Sequence, residues 1–180
     1  MEKEVKRVKW HSHGCRELID VMRSLSLSDI QYLCEQPSPV TTEFIDEFAH
    51  SKCYVLCEGL IVAGERSRFP IRGVILSEYG VDLHYLNAFD IEGQTIYIDA
   101  YGLFTRIEDI SRRYQIDEAN MTVFEFDFYG LQCRNPDMPV VVLRETLDAL
   151  RHGIGSPVDY VRFRDNACRH LLLNIQNEIN

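Results

Sequence analysis

The chain has no long run of apolar residues, and none approaches the roughly 20 that a membrane-spanning helix needs. Its first ten residues, MEKEVKRVKW, are charged, and the apolar stretch of a signal peptide does not follow them. Positive charge is also scarce, because 19 Lys and Arg stand against 28 Asp and Glu and give a net charge of −9. These absences predict a cytoplasmic protein that neither enters a membrane nor binds nucleic-acid phosphates directly.

The composition is that of an ordinary globular domain, with 180 residues, 46% hydrophobic and 26% charged. We expect a single domain over residues 1–180. Within it, residues 1–50 would form a helical part, 51–130 a helix with an antiparallel sheet, and 131–180 C-terminal helices. The six cysteines lie mostly in predicted helices and strands. In a cytoplasmic protein this favours reduced thiols over a disulfide framework.

Helix signals lie at both ends of the chain. Apolar residues at helical spacing predict a helix over 15–25, and Ser26 with Asp29 resembles a capping box that would start a second helix. A last helix is predicted over 157–176, with Cys168 on its inner stripe.

Strand signals are concentrated in the middle of the chain, where short turns join them. The predicted strands cover residues 71–77, 81–90, 95–101 and 121–128. Strands in succession with helices on either side predict an α+β fold, in which an antiparallel sheet of about four to five strands packs against helices.

Three residues with catalytic chemistry follow one another between Ser51 and Gly102. Cys53 lies at the start of a predicted helix, His84 in a predicted strand and Asp99 in the next strand. Ser51 is a suitable N-cap, which would put Cys53 in the first helical turn, where unpaired N–H groups and the helix dipole favour a thiolate. A cysteine, an imidazole and a carboxylate can act as nucleophile, general base and orienting group.

The turn between the two strands decides whether the histidine and the aspartate can meet. With Phe89 opposite Gln94, His84 lies directly across from Asp99, where Cβ atoms are roughly 4.5 to 5.5 Å apart. A turn that instead pairs Ile91 with Gln94 leaves Asp99 diagonal to His84 on the same face. Contact is therefore expected in both registers.

Cys53 at a helix start, His84 in a strand and Asp99 in the sequence IDAYG resemble the papain-like and transglutaminase-like cysteine enzymes. The resemblance covers residues 41–116. Members of that superfamily join a helix carrying Cys at its N-terminus to an antiparallel sheet carrying His and Asp or Asn. The resemblance implies a papain-like/transglutaminase-like core with Cys53 as nucleophile, His84 as general base and Asp99 as orienting residue.

One feature departs from the papain pattern. Papain has a glutamine a few positions before its cysteine that completes the oxyanion hole, and no glutamine stands between Pro37 and Cys53. Two alternatives remain: His50, Ser51 or Lys52 takes that part, or the site is inactive.

Candidate metal ligands are present but poorly spaced. His11, His13 and Cys15 match no strong zinc pattern, and Cys53 with Cys57 lacks an evident third and fourth ligand. We therefore expect neither a metal nor a cofactor.

Two hypotheses about function follow. The first is a cysteine-dependent hydrolase or acyl transferase acting on an amide of a protein or peptide substrate, as a protease, a deamidase or a transglutaminase-like enzyme. The alternative is a non-catalytic acidic binding or inhibitor protein, for example a phage or plasmid protein that blocks a host defence or nucleic-acid-binding machine. A cleft holding Cys53 and His84 within hydrogen-bond reach would favour the enzyme, and burial without a cleft would favour the binding protein. The sequence leaves the oligomeric state open.

Overall fold

The computed structural model describes residues 13–35, 43–50, 52–132 and 157–179. It contains a five-stranded antiparallel sheet and several helices. The α+β class and the antiparallel sheet predicted from the sequence are confirmed. No helix among the described residues is long and apolar enough to cross a membrane.

Four helices precede the sheet in residues 13–35, 43–50 and 52–67. They are α1 (His13–Ser24), α2 (Leu27–Glu35), α3 (Glu43–His50) and α4 (Cys53–Ser67). The predicted capping box is observed at the start of α2, where the Ser26 backbone N–H donates to Asp29 Oδ2 at 2.8 Å and the Asp29 N–H donates to Ser26 Oγ at 3.2 Å. Helix α4 ends where Arg68 adopts a left-handed conformation with φ of 53°.

The sheet has the strand order β4-β3-β2-β1-β5, and each neighbouring pair is antiparallel. Its strands are β1 (Arg72–Glu78), β2 (Val81–Ile91), β3 (Gln94–Asp99), β4 (Gly102–Phe104) and β5 (Met121–Phe126). The short edge strand β4 was not predicted. The predicted strand over 121–128 ends earlier than expected, because a short helix begins at Phe128.

The β2–β3 turn fixes the register on which the candidate site depends. Ile91 pairs with Gln94, and the two residues between them, Glu92 and Gly93, have φ of 51° and 82°. Two positive φ angles are the mark of the tight hairpin turn whose twist matches that of the strands. The register with Phe89 opposite Gln94 is therefore wrong, and the alternative is the one observed.

Three helices follow β4 in the described part of the chain: α5 (Ile107–Arg113), α6 (Phe128–Gln132) and α7 (Pro157–Ile179). Helix α7 matches the last predicted helix and extends it by three residues. The other C-terminal helices predicted within 131–180 would fall mainly in residues 133–156, which lie outside the described residues.

Apolar side chains cover both faces of the sheet. On one face, residues such as Tyr85, Phe89 and Ile96 join the cluster formed with α1 to α4 and α7. On the other face, Leu76 and Leu86 are among the strand residues that pack with residues in and just after α5. The interior strand β1, between β2 and β5, is consequently buried almost along its length.

The expectation of reduced cysteines is wrong for one pair. Cys15 on α1 and Cys168 on α7 form a disulfide, with 4.8 Å between their Cα atoms, while Cys34, Cys53 and Cys57 are free thiols. Sequence separation hid the pairing, because 153 positions divide two residues that the packing of the first helix on the last brings together.

Candidate functional site

Cys53 is the first residue of α4, as predicted, but the helix cap differs. The residue at the N-cap is Lys52, whose side chain makes no capping bond, and Ser51 lies outside the described residues. The Lys52 backbone N–H instead donates to the Glu47 carbonyl at 2.8 Å, which continues the chain from α3 directly into α4. The first-turn position of Cys53 therefore comes from this tight α3–α4 junction.

The sulfur of Cys53 faces strand β2. The backbone N–H of Tyr85 donates to Cys53 Sγ at 3.4 Å. A backbone donor of this kind interacts more strongly with a thiolate than with a thiol, because the negative charge is the better acceptor.

His84 and Asp99 are in direct contact, as the sequence predicted. His84 Nε2 lies 3.1 Å from Asp99 Oδ2, and both side chains are buried. A bulge in the β1–β2 pairing falls next to the histidine, between the pairs formed by Leu76 with His84 and Ser77 with Asp82. Bulges change the direction in which nearby side chains point and are frequent beside active sites.

The carboxylate of Asp99 is held from three directions. Besides His84, the Tyr101 backbone N–H donates to Oδ1 at 2.8 Å, and the Tyr114 hydroxyl donates to Oδ2 at 2.8 Å. The bond from Tyr101 closes a local turn at the end of β3, a conformation that aspartate favours. These bonds fix the orientation of the carboxylate toward the imidazole.

The imidazole is the most strongly perturbed base of the site. Burial by itself lowers the pKa of His84, but the hydrogen bond to Asp99 and the proximity of Cys53 and of the Asp99 charge raise it to about 9. Because Nε2 contacts Asp99, Nδ1 is the nitrogen left for the cysteine; it is buried and forms no hydrogen bond of good geometry. The structure thus pairs His84 with Asp99, and it places the Cys53 sulfur at the backbone of the next residue, Tyr85, near enough to raise the pKa of the imidazole.

Tyr114, just after α5, is a member of the site that sequence reasoning missed. Its ring stacks on the His84 imidazole with 3.8 Å between centroids and 27° between planes, and its hydroxyl bonds Asp99. Burial and the Asp99 charge raise the pKa of Tyr114 well above its usual range, so its hydroxyl stays protonated and remains a donor. No local signal in the sequence pointed to it, since 30 positions separate it from the histidine.

The three predicted residues are almost completely enclosed. His84 is 0% exposed, Asp99 1% and Cys53 7%. Three surface cavities lined by described residues lie elsewhere, and none of these three includes a member of the triad. Tyr114 is only partly buried, so its ring is one of the groups that separate the imidazole from solvent.

The residues proposed to replace the glutamine of the oxyanion hole have other partners. His50 Nε2 lies 3.1 Å from the Tyr101 hydroxyl, and the Lys52 ammonium pairs with Glu47. Ser51, the third candidate, lies outside the described residues. The observed donor to the sulfur is the Tyr85 backbone N–H, and helix geometry adds the N–H groups at the start of α4 as further candidate donors.

Cys57, one turn after Cys53, has a different environment. Its sulfur donates to the Leu86 carbonyl at 3.1 Å, and burial raises its pKa well above the usual value. Such a thiol stays protonated and fills core space. Among the described residues, no group of three His, Cys, Asp or Glu side chains is arranged to hold a metal ion.

Comparison with known proteins gives no match to a family, a curated protein or a solved structure.

Proposed function

We propose that the chain is a cysteine-dependent hydrolase or acyl transferase that acts on an amide of a protein or peptide, with a papain-like/transglutaminase-like core. The observation that carries the proposal is the buried His84–Asp99 pair, with the imidazole Nε2 3.1 Å from the carboxylate, next to the Cys53 sulfur at the Tyr85 N–H. A cysteine, an imidazole and a carboxylate that orients the imidazole are the groups that nucleophilic catalysis by cysteine uses.

The chemistry follows from the roles of the three groups. The Cys53 thiolate attacks the amide carbonyl carbon, and the carbon–nitrogen bond breaks when the His84 imidazolium gives its proton to the leaving amine. The acyl group then remains on sulfur as a thioester. Neutral His84 next takes a proton from water in a hydrolase, or from an amine in a transferase, as that nucleophile releases the thiolate. Asp99 keeps the imidazole in one orientation throughout.

Two further groups support the charged states of this cycle. The N–H of Tyr85 donates to the sulfur, and a pKa of about 9 keeps His84 protonated at neutral pH. The backbone N–H of Cys53, at the start of α4, is the donor proposed for the oxyanion of the tetrahedral intermediate.

The burial of the triad favours the second candidate, a non-catalytic acidic binding or inhibitor protein. A substrate must reach Cys53, whose residue surface is only 7% exposed. In this alternative the histidine and aspartate form a buried polar network that specifies the core, and the net charge of −9 recognises a basic partner.

Alkylation by iodoacetamide at pH 6 distinguishes the two candidates without a known substrate. In the native protein, Cys53 should react fastest, because an imidazolium beside it stabilises a negatively charged sulfur. Cys34 serves as the comparison, since burial raises its pKa to about 11 and keeps it protonated. Mass spectrometry of the alkylated peptides reads each cysteine separately.

Two variants complete the experiment. His84→Ala removes the cationic partner and should slow alkylation of Cys53 at least about tenfold. Cys57→Ala is the matched control, because it alters a buried thiol on the same helix and should leave the rate at Cys53 unchanged. If Cys53 reacts no faster than Cys34, or if His84→Ala has no effect, the enzyme proposal fails and the binding protein takes its place.

A further inference from the structure

A second concave feature lies at the other end of α4 from Cys53. It is a cavity of about 380 Å³ between α1, α4 and α7. This volume falls within the range of small-molecule sites. Its lining extends to Ser67, the last residue of α4, and the rise of an α-helix separates that residue from Cys53 by about 20 Å. The cavity, called here the arginine cavity, is therefore distinct from the triad.

The charge of the arginine cavity is opposite to that of the chain. Its described lining holds five arginines and one aspartate, a formal charge of +4, in a chain whose net charge is −9. The charged residues are Arg16, Asp20, Arg23, Arg66, Arg68 and Arg164. A concave surface lined by one sign of charge concentrates the potential and attracts ligands of the opposite sign.

Three different elements supply the guanidinium groups. Arg16 and Arg23 are on α1, Arg66 is on α4 and Arg68 follows it, and Arg164 is on α7. Their convergence is a property of the tertiary fold, because arginines from the first and last described helices meet across α4. The disulfide between Cys15 and Cys168 joins two of these three walls.

Arg164 forms the buried base of the cavity. It is 7% exposed, and it crosses α4 at Gly59. A Cβ atom at Gly59 would lie 2.6 Å from Arg164 Cγ, so only glycine leaves room for the arginine in this position. A guanidinium held at this depth adds positive charge to the inner part of the cavity lining.

Structural roles account for part of the cluster. Arg23 donates to the Ser67 carbonyl at the end of α4, and its guanidinium lies over the Phe69 ring at 5.6 Å. Cations near a helix C-terminus offset its partial negative charge. That role needs one or two arginines, and it does not explain Arg16 on α1.

We propose that the arginine cavity binds a ligand carrying a di- or triphosphate group. Guanidinium groups pair bidentately with phosphate oxygens, and a charge of +4 in the lining matches a polyphosphate better than a single carboxylate. The volume leaves room for a sugar beside the phosphates. Two sources share this chemistry, a free diphosphate and a nucleotide.

Calorimetric titration of the full chain with pyrophosphate, inorganic phosphate and ATP tests the proposal. Pyrophosphate should bind more tightly than phosphate, since it engages more guanidinium groups. ATP binding tighter than pyrophosphate would identify a nucleotide as the ligand, and equal affinities would identify the phosphates alone as the recognised group.

Two variants locate the binding. Arg16→Gln and Arg68→Gln each remove an exposed guanidinium from the lining, and each should weaken pyrophosphate binding about tenfold. Arg162→Gln is the matched control, because it removes the same charge from an exposed position on α7 outside the cavity. Thermal unfolding confirms that each variant is folded. Absence of pyrophosphate binding overturns the proposal, and so does equal weakening by the control variant.

Discussion

Replacing Asp99 with asparagine should lower the pKa of the buried His84 from about 9 to below its ordinary value of 6.5. Burial lowers this pKa, and hydrogen bonds and negative charges at Asp99 and Cys53 raise it. Asparagine keeps the shape of the side chain but carries no charge. The effect of burial should then outweigh what remains of the stabilisation of the imidazolium.

The size of the change follows from the pKa. A rise from 6.5 to about 9 corresponds to roughly 3 kcal/mol of tighter proton binding in the folded state, because each tenfold change in affinity is worth about 1.4 kcal/mol. Since the folded-state pKa of His84 is the higher one, this stabilisation is fully present below pH 6.5 and is lost as the pH rises through about 9. Asp99→Asn should therefore lower stability by up to about 3 kcal/mol at pH 6 and much less at pH 10.

Two measurements check this reasoning. NMR titration of the imidazole Cε1 proton, assigned with a His84→Gln variant, gives the pKa directly. Urea unfolding at pH 6 and at pH 10 gives the difference in free energy. A pKa of His84 at or below 6.5 in the unmodified protein would refute this prediction. An equal loss of unfolding free energy in Asp99→Asn at both pH values would do the same. Under the proposed function, the same variant should also reduce turnover while the fold persists.

Three further predictions concern contacts around the site and the core. Tyr114→Phe keeps the ring but removes the hydroxyl bond to Asp99, and it should lower the free energy of unfolding by about 1.5 to 3 kcal/mol in urea denaturation; an unchanged value would show that the bond contributes nothing. Cys15→Ser breaks a cross-link spanning 153 positions and should lower the free energy of unfolding by up to about 5 kcal/mol. Because the variant lacks this disulfide, its melting temperature should no longer change when reductant is added. Gly73→Ala should lower the free energy of unfolding by about 1 to 3 kcal/mol, since its methyl group would collide with the Phe126 ring. Thermal unfolding measures this loss, and unchanged stability would contradict the observed packing.

The features predicted correctly from the sequence are those with local causes. The Ser26 and Asp29 side chains cap a helix across three positions, and the β2–β3 turn brings His84 near Asp99 through 15 positions of chain. In both places the residues that determine the geometry lie within or beside the element. Strand alternation kept Asp99 on the correct face in either register, so the contact survived an error in the turn.

The features missed have causes distant in the chain. Tyr114 reaches the imidazole only because α5 packs across the sheet, and Cys15 meets Cys168 only because α1 packs on α7. The enclosure of Cys53 depends in the same way on the packing of α4 against the sheet. Periodicity within a segment contains no information about which segment will cover it, so burial of the triad could not be inferred.

The strand order has a consequence for how the imidazole could become accessible. Strands β1 to β4 are joined by tight turns, whereas β5 lies beside β1 only after the chain has passed from the β4 edge through α5 to the opposite edge. Tyr114 belongs to that crossing segment. A partial opening that releases α5 and β5 would uncover His84 while the three hairpins, and with them its contact with Asp99, stay formed. Such subglobal openings cost less than complete unfolding, and amide hydrogen exchange in β5 should therefore be faster than in β2.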